Sequence, residues 1–138
     1  MTPVAHLLPA DHRATSQTLQ LAQHDTPVLM SLFDRNDMLL WANPAFRQAY
    51  DLGPEQLLSW SDLMLHNHTQ RKGALIRTND IEAWLASARS RRGKEAFRAF
   101  ECDLQDGRWL WMTESVREDG SMLCVACDIT SLRHDDRH

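Results

Sequence analysis

FRAFECDLQDGRWLWMTESVREDGSMLCVACDIT, residues 97–130, decides the fold of this chain. Apolar and polar residues alternate in three runs, Phe97 to Leu104, Arg108 to Arg117 and Ser121 to Ile129. A period of two is the mark of a strand with a buried face. Asp106-Gly107 and Asp119-Gly120 separate the runs. Asp-Gly between alternating runs signals a hairpin, because tight hairpin turns need positive φ. The stretch therefore predicts three consecutive antiparallel strands, at 97–104, 108–118 and 121–130.

Upstream of Gly93 the period becomes helical. Ile81, Trp84, Leu85 and Ala88 share one face, Asn79-Asp-Ile-Glu82 reads as a capping box, and Arg89, Arg91 and Arg92 complement the negative end of a helix over 79–92. These arginines, with Lys94, read as a solvated helix end. Further back, Val28 to Phe33 and Met38 to Ala42 flank the turn residues Asp34-Arg-Asn-Asp37, giving strands at 28–34 and 38–42. Asn43 can cap a short helix that has Pro44 at its first position and runs to Tyr50. Gly53-Pro54 opens another short helix through Trp60, and Ser61 to Leu65 is a third. His66 to Arg77 has no period and reads as loop. Asp11 to His24 forms a helix with a narrow apolar stripe, ended by Thr26-Pro27. The order predicts an α+β domain: a five-stranded antiparallel sheet with short helices on one face, plus an N-terminal helix.

With 138 residues and 15.9 kDa, the chain suits a single domain that can build a core without disulfides. We divide it into an N-terminal tail and capping or dimerisation helix (1–26), the domain proper (27–133) and the start of a linker (134–138). Its 15 Lys+Arg against 19 Asp+Glu give a net charge of −4, which argues against binding a phosphate backbone. The longest nearly apolar run, Val28 to Phe33, is too short to span a bilayer, and residues 1–10 lack the plan of a signal peptide. A cytoplasmic domain is the expectation. Cys102, Cys124 and Cys127 are an odd number. Cys124 and Cys127, three apart on a strand, point to opposite faces, which argues against a metal or redox pair.

Two-residue turns at both Asp-Gly pairs would set Gln105 opposite Arg108 and Glu118 opposite Ser121. One face then carries Phe97, Ala99, Glu101, Leu110, Met112, Glu114, Val116, Leu123, Val125 and Ile129. The other carries Phe100, Cys102, Leu104, Trp109, Trp111, Thr113, Ser115, Met122, Cys124, Ala126 and Asp128. Both are apolar enough to need cover, and polarity alone leaves open which of them meets the helices. On the first face Glu101 and Glu114 read either as buried ligand-binding carboxylates or as residues of a partly wet edge. The helix over 11–24 is expected to cover this first face, in its own subunit or in a partner's, which makes a symmetric homodimer the expectation.

The order of elements resembles the PAS family of sensor domains. Trp41-Ala-Asn-Pro-Ala-Phe46 is similar to that family's strand-to-helix junction, Asp106-Gly-Arg-Trp-Leu-Trp111 to its penultimate hairpin, and Asp128-Ile-Thr130 to its ending. The resemblance covers about 28–133. As a whole the chain also resembles the N-terminal sensor module of bacterial diguanylate cyclases, although no Gly-Gly-Asp-Glu-Phe string is present, so such an output domain would lie beyond His138. The resemblance implies a sensory module that is not itself an enzyme. In similar domains the residue two before the Asp of Asp-Ile-Thr, here Ala126, faces a cavity. That implies a floor of Thr113, Ser115, Cys124 and Ala126 walled by Phe100 and Trp111, with Trp60, Met64 and Trp84 from the helices. It also implies that Asp128 and Thr130 fix the exit to the output domain.

No cofactor can be named from the residues. The longer helix has no His for a haem, the helices carry no Cys for a flavin adduct, and His66 and His68 lack a nearby third metal ligand. Two other readings stand beside the sensor: an interaction or dimerisation domain whose cavity is filled by Trp109 and Trp111, and a small enzyme that uses the cavity.

Overall fold

The computed structural model describes residues 3–135, with side chains from 12 to 133. Five strands, β1 (Leu29–Phe33), β2 (Leu39–Ala42), β3 (Phe97–Asp103), β4 (Trp109–Val116) and β5 (Met122–Asp128), form one antiparallel sheet in the order β2-β1-β5-β4-β3. Helices α2 (Pro44–Ala49), α3 (Trp60–Gln70) and α4 (Ile81–Arg91) connect β2 to β3 and cover one face. The N-terminal helix α1 spans Pro3–Asp25 and α5 spans Thr130–Asp135. Leu63 and Met64 of the helices meet Leu29, Phe33, Leu110 and Met122 of the sheet in one core.

Asn43 ties the first elements together. Its Oδ1 accepts from the backbone N–H groups of Phe46 and Met30, both at 3.0 Å, and its Nδ2 donates to the carbonyls of Gln23 and Val28, both at 2.8 Å. A buried side-chain amide thus uses two donors and two acceptor sites, capping α2 and closing β1 against the end of α1.

The hairpins differ from expectation by one residue each. Leu104 N–H donates to Arg108 O at 2.9 Å, and Arg117 N–H to Ser121 O at 2.8 Å, so each loop has three residues, not two. In both loops the glycine takes positive φ, Gly107 at 93° and Gly120 at 86°, as in a three-residue loop ending in a bulge. A one-residue slip turns every side chain of a strand over. Relative to the expected register, β4 is inverted against β3 and β5: Leu110, Met112 and Glu114 face the helices, and Trp109, Trp111, Thr113 and Ser115 face away.

Helix boundaries also move. Residues 53–59 are not helical: Arg47 donates to the carbonyls of Gly53 and Gln56, both at 2.7 Å, and Leu39 N–H bonds Leu58 O, drawing the segment along β2. The expected loop from His66 is helical as far as Gln70. Buried Asn67 secures that end, donating to Tyr50 O and accepting from Ala74 N–H, and it packs so close to Gly73 that a Cβ there would lie 2.5 Å from its Oδ1. Asp80, not Asn79, caps α4 by accepting from Ala83 N–H at 3.1 Å. Among the described side chains, residues 12–25 of α1 do not pack on the far sheet face: α1 meets the fold at α2, and Leu19 and Leu21 on it are exposed.

Candidate functional site

A cavity of about 590 Å³ lies between the helices and the sheet, within the range of small-ligand sites. Phe46, Tyr50, Trp60, Met64, Trp84 and Ala88 line it from the helical side, and Ser31, Phe33, Phe100, Cys102, Met112 and Cys124 from the sheet. Trp60 and Trp84 stack with centroids 6.0 Å apart, and Phe46 stacks on Tyr50 at 4.4 Å. Of the residues expected in a site, Trp60, Met64, Trp84, Phe100 and Cys124 border this space. Ala126 is buried on the same sheet face but does not reach it. Trp111, Thr113 and Ser115 lie on the opposite face because of the slip at the hairpins, as does Trp109, so the tryptophans expected to fill the cavity leave it open.

A charged network that the sequence reading did not anticipate closes one wall. Arg92, which follows α4, donates through Nε and Nη2 to the two carboxylate oxygens of Asp37 at 2.7 and 2.8 Å, and through Nη1 to Glu114 at 3.0 Å. Arg98 holds the other oxygen of Glu114 at 2.9–3.0 Å. The Arg92 guanidinium lies 4.2 Å from the Trp60 ring centroid and 5.2 Å from that of Phe33. Burial by itself would lower the Arg92 pKa, but the bonds and charge of Asp37 outweigh it and hold the group above its ordinary value. Arg92 is therefore not a solvated helix end, and Glu114 is a buried carboxylate committed to two arginines. Pairing Arg98 with Glu114 across the strands is the signal that would have found both the register and this wall.

The side chains that line the cavity from α2, β1 and β5 are neutral. Burial pushes the Cys102 thiol up to about 11 and the Cys124 thiol up to about 12, and holds the Tyr50 hydroxyl well above its usual value. Ser31 is fully buried on β1 opposite Cys124, and its Oγ has no hydrogen-bond partner. His66 and His68 are on α3, not on a loop: His66 Nε2 bonds Asp51 at 2.8 Å, and His68 lies 3.3 Å from Thr78 O. Among the described residues no three His, Cys, Asp or Glu side chains gather as metal ligands, and no helix is long and apolar enough to cross a membrane.

At the end of β5 the geometry is tight. Asp128 Oδ1 accepts from both the backbone and the hydroxyl of Thr130, whose Oγ1 in turn accepts from Trp109 N–H at 2.9 Å. The Thr130 bonds hold the Asp128 carboxyl below its ordinary range. Arg133, one turn into α5, bonds Glu101 at 2.7 Å and lies 3.9 Å from the Trp109 ring centroid. Helix α5 is thereby fastened to β3 and β4, the strands that also wall the cavity.

Residues 29–137 match the family model of the PAS fold, and the chain belongs to that family. Membership supports a general role in signalling. Among solved structures, the PAS domain of an HTR-like protein from Haloarcula marismortui is similar at a TM-score of 0.52 and 17% identity, over 85% of this chain and 99% of that one. The PAS domain of BvgS from Bordetella pertussis is similar at 0.50 and 14% identity, over 91% and 92%. Phage VqmA, in its complex with DPO, is similar at 0.55 and 11% identity, over 91% of this chain and 58% of that one. No curated protein sequence matches the chain.

Proposed function

We propose that this PAS domain is a cytoplasmic sensory module, not itself an enzyme, that takes a small ligand into the cavity and relays its presence to an output domain. The observation that carries the proposal is the open, mostly apolar cavity bordered by β3 and β4, the strands to which the exit after β5 is fastened. The similarity to VqmA, solved as a complex with DPO, lends it support. A ligand acts by binding two arrangements of these strands with different affinity. Asp128 and Thr130 hold the exit in one of them.

In this reading residues 27–133 sense, 134–138 begin the linker, and 1–26 help form a homodimer. The far sheet face, with exposed Phe97, Trp41 and Trp111, and the exposed Leu19 and Leu21 of α1 favour pairing of two copies. The resemblance to sensor modules of diguanylate cyclases makes cyclic di-GMP synthesis the proposed output. Mass spectrometry of small molecules released on denaturing natively purified protein tests the ligand. One compound at near-stoichiometric amount is expected, and it should rebind. Its absence, together with no thermal stabilisation by any member of a metabolite library, overturns the sensory reading. Light scattering with and without residues 1–25 tests the pairing; a monomer in both cases excludes it.

A further inference from the structure

The cavity wall is electrically balanced. Arg91, Arg92 and Arg98 border it together with Glu95, Asp103 and Glu114, three charges of each sign. The buried ones are committed to one another: Arg92 uses Nε, Nη1 and Nη2 on Asp37 and Glu114, and Glu114 gives its second oxygen to Arg98. Asp103 is held by Arg77 at 2.7 Å. A charged ligand seated beside the buried groups would have to break one of these pairs and strand its partner away from water, which is among the costlier events in a protein interior. The two wall charges outside these pairs, Arg91 and Glu95, are exposed to solvent.

One polar atom in this interior is unclaimed. Ser31 Oγ is fully buried on the sheet side of the cavity, with no hydrogen bond of ordinary geometry and only the weak Cys124 thiol opposite it, whereas buried hydroxyls nearly always find a stronger partner. The same cavity is lined by flat rings, those of Phe46, Tyr50, Trp60, Trp84 and Phe100. A planar ring fits such walls better than a branched chain does.

Resting on the sensory reading above, we infer that the ligand is an uncharged, planar organic molecule whose hydrogen-bonding group pairs with Ser31 Oγ. The hydroxyl both donates and accepts, so an amide, a phenol or a ring nitrogen satisfies it equally. The unliganded protein carries an unsatisfied group that binding relieves.

Benzamide, benzoate and benzamidinium have nearly one shape and charges of zero, minus one and plus one, and they form the test. Each is titrated into isotope-labelled protein while the backbone amide signals of Ser31, Cys102 and Cys124 are followed. Benzamide is expected to bind at least tenfold more tightly than either ion. Ser31→Ala removes a single oxygen; it is expected to weaken benzamide by about three- to tenfold and to raise the thermal midpoint of the unliganded protein. If benzoate or benzamidinium matches benzamide, or if Ser31→Ala leaves benzamide affinity unchanged, the ligand class is wrong while the cavity still binds small molecules. If none of the three shifts these signals, this inference falls, while the sensory reading stands or falls on the compound recovered from the native protein.

Discussion

Arg92→Ala tests whether the charged wall holds the domain together. The side chain is 7% exposed, and its guanidinium joins the end of α4 to the β1–β2 turn through Asp37 and to β4 through Glu114. Removing one member of a buried ion pair costs about 3–5 kcal/mol, because the other member stays buried. Here the partners are not wholly abandoned: Asp37 is 29% exposed and can rehydrate, and Glu114, at 4%, keeps Arg98. The electrostatic part therefore belongs at the low end, about 3 kcal/mol. Loss of the cation over Trp60 and Phe33 adds about 1 kcal/mol. A total near 4 kcal/mol corresponds to a fall in Tm of about 15 °C for a domain of this size. Urea denaturation followed by tryptophan fluorescence measures it. Arg89→Ala, which loses only an exposed bond to Ser61, is the control and should stay within about 0.5 kcal/mol. An Arg92→Ala loss below about 1 kcal/mol, indistinguishable from the control, would refute the reasoning and return Arg92 to the solvated helix end that composition suggests.

Asn43→Ala strands the amides of Met30 and Phe46 and the carbonyls of Val28 and Gln23, and should cost about 3 kcal/mol by the same denaturation assay; a loss under 1 kcal/mol would mean that water replaces those bonds. Ala88→Phe, which grows a ring into the cavity, should abolish binding of any compound recovered from the native protein, while Thr113→Leu on the far face should leave its affinity unchanged, as read by calorimetry. Stability should fall at alkaline pH. Burial raises the Cys102 and Cys124 thiols to about 11 and about 12, so above the unfolded value of 9.0 the unfolded chain releases protons that the folded one keeps. The thiol contribution is then complete below about pH 8.5 and is lost at up to about 1.4 kcal/mol per pH unit per thiol as pH rises toward the folded values. A urea midpoint that is flat from pH 8 to 10.5, or a decline that persists undiminished after both cysteines become alanine, would count against this.

The five strands and the helices at 44–49 and 81–91 were readable because they depend on local signals of large size, whereas the helix expected from Gly53 to Trp60 does not form. The period change at Gly93, the two Asp-Gly pairs and the Asn43-Pro44 junction each constrain the backbone through chemistry confined to a few residues, and the sheet and its helices follow. Helix ends were less readable because long-range partners decide them. Arg47 draws the carbonyls of Gly53 and Gln56 out of a helix that Gly53-Pro54 could otherwise start, and Asn67 carries α3 on past Leu65 by bonding Tyr50 and Ala74. Ser31 and Tyr50 gave no sign of lining a cavity, since a serine in an apolar strand and a tyrosine at a helix end are ordinary until the fold sets them around one space.

The site depended on a finer choice. Asp-Gly suits both a two-residue turn and the last two positions of a three-residue loop with glycine at positive φ, and the two differ by one residue of register. The slip occurs at both hairpins, so its effects cancel between β3 and β5 and remain only on β4. Phe100, Cys124 and Ala126 keep the face expected of them, while Trp111, Thr113 and Ser115 trade places with Leu110, Met112 and Glu114. Charge could have chosen between the registers. With two-residue turns Arg98 faces Ser115 and Glu114 faces Ala99, which leaves a carboxylate unpaired on a face that must be covered. With three-residue loops Arg98 and Glu114 stand directly opposite, at 2.9 Å, and Arg92, the residue after α4, can reach the same carboxylate. The cost of burying an unpaired charge exceeds any preference between two turn types that the same dipeptide can serve. In this chain, then, the partners of Glu114 decide which way β4 faces, and with it which residues a ligand would meet.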